Sequence, residues 1–237
     1  MRKKILVSVV VYNEGPKIKD TLSKFPENPP YDVVIVDDGS TDDTLKYIGK
    51  FKYPLIHHIV NLGVGKAIKD AIAYGQKNGY DIIIVMAGNG KMQPEDIPIL
   101  VQPILEEGYD YVQGSRYLKG GKSDNLPTFR NIMIKLFSLI IYLITGFKGT
   151  DATCGFRAYK LSILNDPRID IWQDWLDKYE LEYYIHYKVL TLRYKVKEVP
   201  VAMIYPKEKK GYSKIKPFSG WWSMIRPWIL LSLRIKR

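Results

Sequence analysis

The chain has 237 residues, 46% hydrophobic and 26% charged, enough for one α/β domain with a large core or two small ones, and this excludes a disordered chain. Its formal net charge of +11 points to an anionic partner: nucleic acid, an acidic membrane or a phosphorylated substrate. The single cysteine, Cys154, excludes an intrachain disulfide and a cysteine-based metal cluster, and fits a reducing cytosol.

The predicted elements alternate from the start. Residues 4–11 are apolar and β-branched and read as a buried parallel strand. Their apolar run is too short and too β-branched for a signal peptide. Tyr12-Asn13-Glu14-Gly15 ends the strand, and a helix is expected from Pro16 to Phe25 with Ile18 and Leu22 on one face. After the Asn28-Pro29-Pro30 loop, residues 32–36 form a second strand that stops at Asp37-Asp38-Gly39-Ser40. Ser40 and Asp43 have capping-box spacing for a helix running to about Lys50. Leu55 to Val60 is a third strand. Asn61-Leu62-Gly63-Val64-Gly65-Lys66 then opens a helix with Ile68, Ala71, Ile72 and Gly75 on one face. Ile82 to Val85 is a fourth strand, broken by Ala87-Gly88-Asn89-Gly90. A helix restarts at Pro94-Glu95-Asp96, with proline early and acids in the first turn, and runs to about Glu107. Tyr109 to Gln113 is a fifth strand.

Such alternation predicts an α/β fold: a mostly parallel central sheet with helices on both faces and right-handed crossovers. That winding gathers the residues just after the strands on one rim: Tyr12, Asn13 and Glu14; Asp37 and Asp38; Asn61; Asn89 and Lys91. Open α/β sheets hold ligands there. Asp37 and Asp38 suit a nucleobase N–H or ribose hydroxyls; the alternative is an acid pair at a helix N-terminus. Gly63 and Gly65, beside Lys66, would let the backbone approach a diphosphate.

The second half has a different texture. Residues 114–122 form a basic, glycine-bearing loop, and Arg130 follows. Arg116 and Arg130 offer forks suited to phosphate oxygens, or pair with surface acids. Ile132 to Thr145 is a strongly apolar helix of about 14 residues, short of the ~20 that span a bilayer. Residues 150–159 are a loop and short strand, Trp172 to Leu192 a helix carrying Glu180 and Glu182, and Val196 to Ile204 a strand with a buried-looking Glu198. Lys207 to Lys216 is a basic loop. Gly220 to Arg237 is a Trp-rich apolar helix broken by Arg226 and Pro227. The two apolar helices fit a membrane interface, with Trp221, Trp222 and Trp228 at headgroup level and Arg226, Arg234, Lys236 and Arg237 on lipid phosphates. The alternative is one core helix and one dimer contact. Nucleic-acid binding would explain the charge but not the acid-lined rim.

The motifs Val9-Val10-Val11-Tyr12-Asn13-Glu14-Gly15, Asp37-Asp38-Gly39-Ser40-Thr41-Asp42-Asp43-Thr44, Asn61-Leu62-Gly63-Val64-Gly65-Lys66, Gly114-Ser115-Arg116-Tyr117, Cys154-Gly155-Phe156-Arg157-Ala158-Tyr159 and Glu198-Val199-Pro200-Val201 occur in this order. Over roughly residues 4–216 the chain resembles the family 2 glycosyltransferases with the nucleotide-diphospho-sugar (GT-A) fold, and among them the polyprenyl- and dolichyl-phosphate sugar synthases. The resemblance implies inverting transfer of a hexose from a UDP- or GDP-linked sugar to a polyprenyl phosphate, by a peripheral protein on the cytoplasmic face of an anionic membrane. It implies a catalytic domain over 1–217, with a nucleotide half to about 113 and an acceptor half beyond it, and a membrane-interface helix over 218–237. Asp37 would contact the base, Tyr12 to Glu14 would line the nucleotide pocket, and Arg116, Arg130, Ser213 and Lys214 would meet the acceptor phosphate. A phosphate acceptor, with a second pKa of about 6, is already a nucleophile at neutral pH. A hydroxyl acceptor would need a base, for which Asp151 and Glu182 are the candidates. An inactive nucleotide-sugar binder is the other alternative.

One departure matters. The family holds Mg2+ or Mn2+ on the diphosphate with an Asp-x-Asp pair after the fourth strand. Here Ala87 and Asn89 stand at those positions, and Lys91 falls where a glutamine is usual. Asn89 is the one remaining metal donor and also a candidate to position the diphosphate or ribose. The expectation is metal-independent transfer with the Lys91 ammonium taking part of the cation's work; the alternative is that Lys91 points to solvent and Mg2+ or Mn2+ binds weakly through diphosphate oxygens, Asn89 and water. A second departure puts Glu208 where an arginine is usual, three residues before Gly211.

Overall fold

The computed structural model describes residues 3–206 and 219–237. The basic loop with Ser213, Lys214 and Glu208 lies outside the described residues. Seven strands form one sheet in the order β3-β2-β1-β4-β6-β5-β7. They are β1 Ile5–Val11, β2 Asp32–Asp37, β3 Leu55–His57, β4 Ile82–Ala87, β5 Tyr111–Ser115, β6 Arg157–Lys160 and β7 Val196–Pro200. All neighbours pair in parallel except β6, which runs antiparallel between β4 and β5. The helices are α1 Pro16–Leu22, α2 Thr44–Ile48, α3 Val64–Lys77, α4 Ile97–Glu106, α5 Thr128–Thr145, α6 Glu180–Thr191 and α7 Ser219–Ser232.

The period of two along the strands decides which helix covers which face. Ile5, Val7, Val9 and Val11 of β1 pack with Ile18 and Leu22 of α1 and Ile97, Leu100 and Val101 of α4. Leu6 faces the other way, toward Ala67, Ile68, Ala71 and Ile72 of α3 and Leu181 and Ile185 of α6. The expected helix face of α3 is therefore the buried one. A third cluster joins Phe137 and Ile141 of α5, Tyr183 of α6, and Met224 and Trp228 of α7.

Four expectations need correction. The third strand stops at His57, because the His58 and Asn61 side chains turn back to the Asp38 carboxylate. Ser40 caps no helix. Its hydroxyl goes to Asp37, and α2 starts four residues later, without a side-chain cap. Residues 172–179 are not helical throughout, holding only a short 3-10 turn at Asp174–Leu176 before α6 begins at Glu180. The C-terminal helix is not free along its whole length, although Trp222, Ile229 and, just past its end, Leu233 stay exposed. Trp228 is completely buried against Phe137 and Tyr187, and Arg226 donates to Glu180 at 2.6 Å.

Exposed apolar surface lies also on α5, which has 18 residues rather than about 14 and is long and apolar enough, by length and composition, to cross a membrane. Phe129, Ile132, Leu136, Leu139 and Leu143 are exposed, while Ile134, Phe137, Ser138 and Ile141 are buried. At 3.6 residues per turn the two rows occupy opposite sides of the helix.

Candidate active site

The carboxyl ends of β1, β2 and β4 meet on one rim, and the two loops after β1 and β2 are stitched together there. Asn13 takes a positive φ of 48°. Its N–H donates to the Ser40 hydroxyl at 2.8 Å, and its side-chain oxygen accepts from the Thr41 N–H at 2.7 Å. Glu14 and Gly15 donate backbone N–H groups to the Thr44 hydroxyl at 2.9 and 2.8 Å. Asp37 is fully buried, accepting from the Ser40 N–H at 3.1 Å and lying 2.9 Å from His57 Nδ1.

Asp38 is committed to the chain itself. Its two oxygens accept from the Asn61 amide at 3.0 Å and from the Leu62 and Gly63 N–H groups at 2.9 Å each, and His58 Nδ1 lies 2.8 Å away. This carboxylate thus shapes the turn into α3.

The glycines of that turn do allow a close approach, but the partner is the chain's own backbone. A β-carbon on Gly63, at φ 106°, would lie 2.3 Å from the Asp177 carbonyl oxygen. One on Gly65 would lie 2.1 Å from that of Leu176. Lys66 donates its N–H to the Asp177 carbonyl at 3.0 Å and its ammonium to Asp70 at 2.5 Å. Gly63, Gly65 and Lys66 therefore fasten α3 to the segment before α6, which corrects the expectation of a diphosphate approach at this helix start.

Arg116 leaves the end of β5 buried and paired. Its Nε and Nη2 donate to Asp151 at 2.6 Å each, Nη2 also reaches the Thr153 hydroxyl at 2.7 Å, and Nη1 donates to the Tyr205 hydroxyl at 2.6 Å. Burial opposes the Arg116 charge, but the facing Asp151 carboxylate outweighs it and holds the guanidinium more firmly protonated than usual. Asp151 is itself positioned by Glu198, which accepts its N–H at 2.9 Å and that of Thr150 at 2.7 Å. Burial raises the Glu198 carboxyl above its ordinary range despite these bonds. The fork expected to face a phosphate is thus largely occupied by Asp151, and Asp151 is not disposed as a free base.

Glu182 is placed differently. Burial raises its carboxyl above the ordinary range, with Arg157 opposing from 3.9 Å. Arg157 holds the 152–154 loop and α6 through the carbonyls of Cys154 at 2.9 Å and Glu182 at 2.5 Å. Burial pushes the Cys154 thiol up to about 12, leaving it inert at neutral pH.

Two of the sequence-selected cations converge with Arg116 on a residue the sequence reading missed. The Lys91 ammonium lies 5.5 Å and the Arg130 guanidinium 5.8 Å from the centre of the Tyr205 ring, whose hydroxyl binds Arg116. Asn89 sits in the same loop, its side-chain oxygen accepting the Lys91 N–H at 3.2 Å. Burial raises the Tyr179 phenol, with Glu182 adding to the rise and Arg130 opposing it. Tyr205 carries no spacing signal. What could have pointed to it is its place shortly before the basic loop that resembles the acceptor segment.

Residues 6–166 match the family described as glycosyl transferase family 2. The undecaprenyl-phosphate mannosyltransferase of Micrococcus luteus is 28% identical, over 90% of this chain and 87% of that one. The UDP-N-acetylglucosamine–dolichyl-phosphate N-acetylglucosaminyltransferase of Methanococcus voltae is 31% identical, over 68% and 71%. Glucosyl-3-phosphoglycerate synthase from Mycobacterium tuberculosis, solved with Mn2+, UDP and glucosyl-3-phosphoglycerate, has the same fold, with a TM-score of 0.67 at 17% identity over 99% of this chain and 81% of that one. The chain belongs to glycosyl transferase family 2: it is a glycosyltransferase with the GT-A fold, resembling the polyprenyl-phosphate sugar synthases.

Proposed function

We propose that this enzyme transfers a hexose from a nucleotide-diphosphate sugar to a polyprenyl phosphate at the cytoplasmic face of a membrane. The observation that carries the reading is the convergence of Lys91, Arg116 and Arg130 on Tyr205 beside the acid-lined rim. Two phosphate-bearing substrates have to meet where the sugar is handed over, and a cationic cluster next to a nucleotide rim suits that meeting.

In the step, an oxygen of the acceptor phosphate forms a bond to the anomeric carbon. The bond from that carbon to the diphosphate oxygen breaks, with inversion. The acceptor dianion becomes a monoanionic diester, and the leaving nucleoside diphosphate gains the negative charge it loses. No proton moves, so no base is required. Arg130, from the first turn of α5, orients the acceptor phosphate. Arg116 acts chiefly by holding Tyr205 and the 151–153 loop. Asp37 and the Tyr12 to Glu14 segment take the nucleoside end of the donor.

A divalent cation does not fit the residues present. At the end of β4, Ala87 offers a methyl group, and the Asn89 oxygen already accepts the Lys91 N–H. Among the described residues no three His, Cys, Asp or Glu side chains converge.

The outward row of α5, Phe129 to Leu143, supports membrane contact, since it starts one residue from Arg130 and leads away from the site. Replacing Ile132, Leu136, Leu139 and Leu143 with serine is expected to release the protein from anionic vesicles. Unchanged co-sedimentation of that variant would remove α5 from the reading.

Turnover with UDP- and GDP-linked hexoses, offered short polyprenyl phosphates or the matching polyprenols, tests the function. Product on the phosphates alone is expected. Product on the alcohols alone, lost in Glu182→Gln, would move the enzyme to the hydroxyl-glycosylating class, for which Glu182's raised carboxyl is the supporting feature.

A further inference from the structure

The strand order β3-β2-β1-β4 changes direction between β1 and β4, the switch point where an open α/β sheet holds a ligand. With the diphosphate of a nucleotide sugar there, the nucleoside extends across the end of β2 toward the edge strand β3. The last residues of those two strands, Asp37 and His57, stand opposite each other in register. Asp37 continues the row of Val33 and Ile35, which packs with Ile18 and Leu22 of α1 and Ile48 of α2. Paired residues of neighbouring strands share a face of the sheet, so His57 lies on that same side.

The two side chains differ in what they can reach. Asp37 is fully buried and both its oxygens are taken. The Ser40 hydroxyl donates to one; the Ser40 N–H, at 3.1 Å, and His57 Nδ1, at 2.9 Å, meet the other. No part of this carboxylate touches solvent, whereas the His57 side chain is 40% exposed. Its Nδ1 is bound to Asp37, and no group among the described residues bonds its Nε2. The group that faces a ligand at this corner of the rim is therefore the imidazole, with the carboxylate behind it.

A carboxylate has no hydrogen to give, so the hydrogen between Asp37 and His57 belongs to Nδ1. In a neutral imidazole the bond at one nitrogen sets the role of the other, and Nε2 is left as an acceptor of fixed direction. Uracil and guanine carry a ring N–H on their pairing edge, N3–H in the pyrimidine and N1–H in the purine. Cytosine and adenine carry a lone pair at the corresponding nitrogen. An acceptor at Nε2 attracts the first pair of bases and repels the second. Its setting is held from two sides. Ser40, which binds Asp37, also accepts the Asn13 N–H at 2.8 Å, and the His58 N–H donates to the Asp37 carbonyl at 2.9 Å.

We propose that His57 is a specificity-determining residue whose Nε2 accepts the ring N–H of a uracil- or guanine-type base, with Asp37 as the positioning residue that fixes the ring's orientation and its hydrogen. The proposal rests on the nucleotide-sugar reading above and adds to it the class of base. Asp37 acts on the base through His57 and does not touch it.

Calorimetric titration of the full-length chain with UDP, CDP, GDP and ADP tests it, with and without excess Mn2+. N3-methyl-UDP and N1-methyl-GDP, in which a methyl group replaces the ring N–H, complete the set. The native protein is expected to favour UDP over CDP, or GDP over ADP, by about five- to tenfold, and to lose a similar factor when the preferred base is methylated, the worth of one hydrogen bond. His57→Ala, at the exposed sheet edge, should lose the preference and become indifferent to methylation. Asp37→Asn should lower the preference in the native background and change nothing further in the His57→Ala background. Urea unfolding establishes that each variant folds; if Asp37→Asn does not, the methylated nucleotides on the native protein and on His57→Ala decide the matter. A preference that survives His57→Ala would overturn the proposal, and its loss in Asp37→Asn alone would give the base to Asp37. Native indifference to methylation, or a preference for CDP or ADP, would overturn it too. A preference that His57→Ala abolishes and Asp37→Asn leaves intact would remove the positioning role. No nucleotide binding under any condition would sink the nucleotide-sugar reading itself.

Discussion

The acid-lined rim and the cationic cluster are built on opposite plans. On the rim, carboxylates are held by donors from the same or the next βα loop: Asp37 by Ser40 three residues on, Asp38 by the backbone of Leu62 and Gly63, 24 and 25 residues on. In the cluster, cations are held across long stretches of chain: Arg116 by Asp151, 35 residues away, and by Tyr205, 89 residues away. The rim also commits its charges to backbone N–H groups and histidines, whereas the cluster pairs Arg116 with a buried carboxylate and brings Lys91 and Arg130 over the Tyr205 ring. The difference teaches that a short-range motif makes a pocket wall, while an anion site made of cations needs the whole fold to keep like charges together.

Removing Asp151 should have the largest effect on stability. Asp151→Ala leaves the Arg116 guanidinium buried without its countercharge, an expected loss of about 3–5 kcal/mol, read from the urea midpoint at unchanged m-value. Asp38→Ala should cost less, about 1–3 kcal/mol, because its backbone donors lie at the rim where water can replace the carboxylate. If Asp38→Ala proves the costlier of the two, the contrast between local and long-range assembly is wrong.

His186 sharpens the comparison through pH. It is buried in the second half, stacked on Tyr111 at 5.5 Å with Phe147 and Trp228 edge-on, and burial together with Arg157 holds its pKa well below 6.5. The unfolded chain therefore takes up a proton near pH 6.5 that the folded chain refuses. Stability is full above that pH and falls by up to ~1.4 kcal/mol per pH unit below it, until the folded pKa is reached. His186→Phe should remove this term, so native and variant unfolding curves, measured at neutral pH and about one unit below 6.5, should diverge on acidification. Parallel pH dependences would show that the second half is not closed to protons at α7. The smallest effect should come from Ser40→Ala. It loses a bond to Asp37 and one from Asn13, but Ser40 is only half-buried and water can replace much of them, so the total is about 0.5–1 kcal/mol, and its nucleotide affinity would report whether the stitch between the two loops shapes the pocket.

Much of the rim was legible in the sequence because its cues are local. Strand-ending polar residues, the glycines before α3 and the alternation of apolar segments each lie within a dozen residues, the range over which backbone period and turn chemistry act. The family motifs singled out Arg116 and Arg130. The misses share a cause: at each, a partner that the local spacing did not reveal took the group, and at two of the three it came from a distant part of the chain. Ser40 had cap spacing, but the Asp37 carboxylate competed for it. Gly63 and Gly65 had the spacing for a ligand approach, but residues 176–178 took that space. Trp228 looked amphipathic beside Arg226, but Glu180 neutralised the arginine and α5 and α6 enclosed the ring.

By itself, then, the sequence determined the α/β class, the order of the elements and the identity of the rim, because hydrophobic period and right-handed crossovers leave few alternatives. It also determined that β4 ends without metal-binding carboxylates. Only the tertiary structure decided that Arg116 is paired with Asp151, that α7 buries Trp228 while α5 carries an exposed apolar row, and that Lys91, Arg116 and Arg130 meet on Tyr205. Like charges repel and show no attraction along the chain. What brings them together is a hub and a set of backbone bonds from segments far apart in sequence, and that information exists only once the sheet has formed.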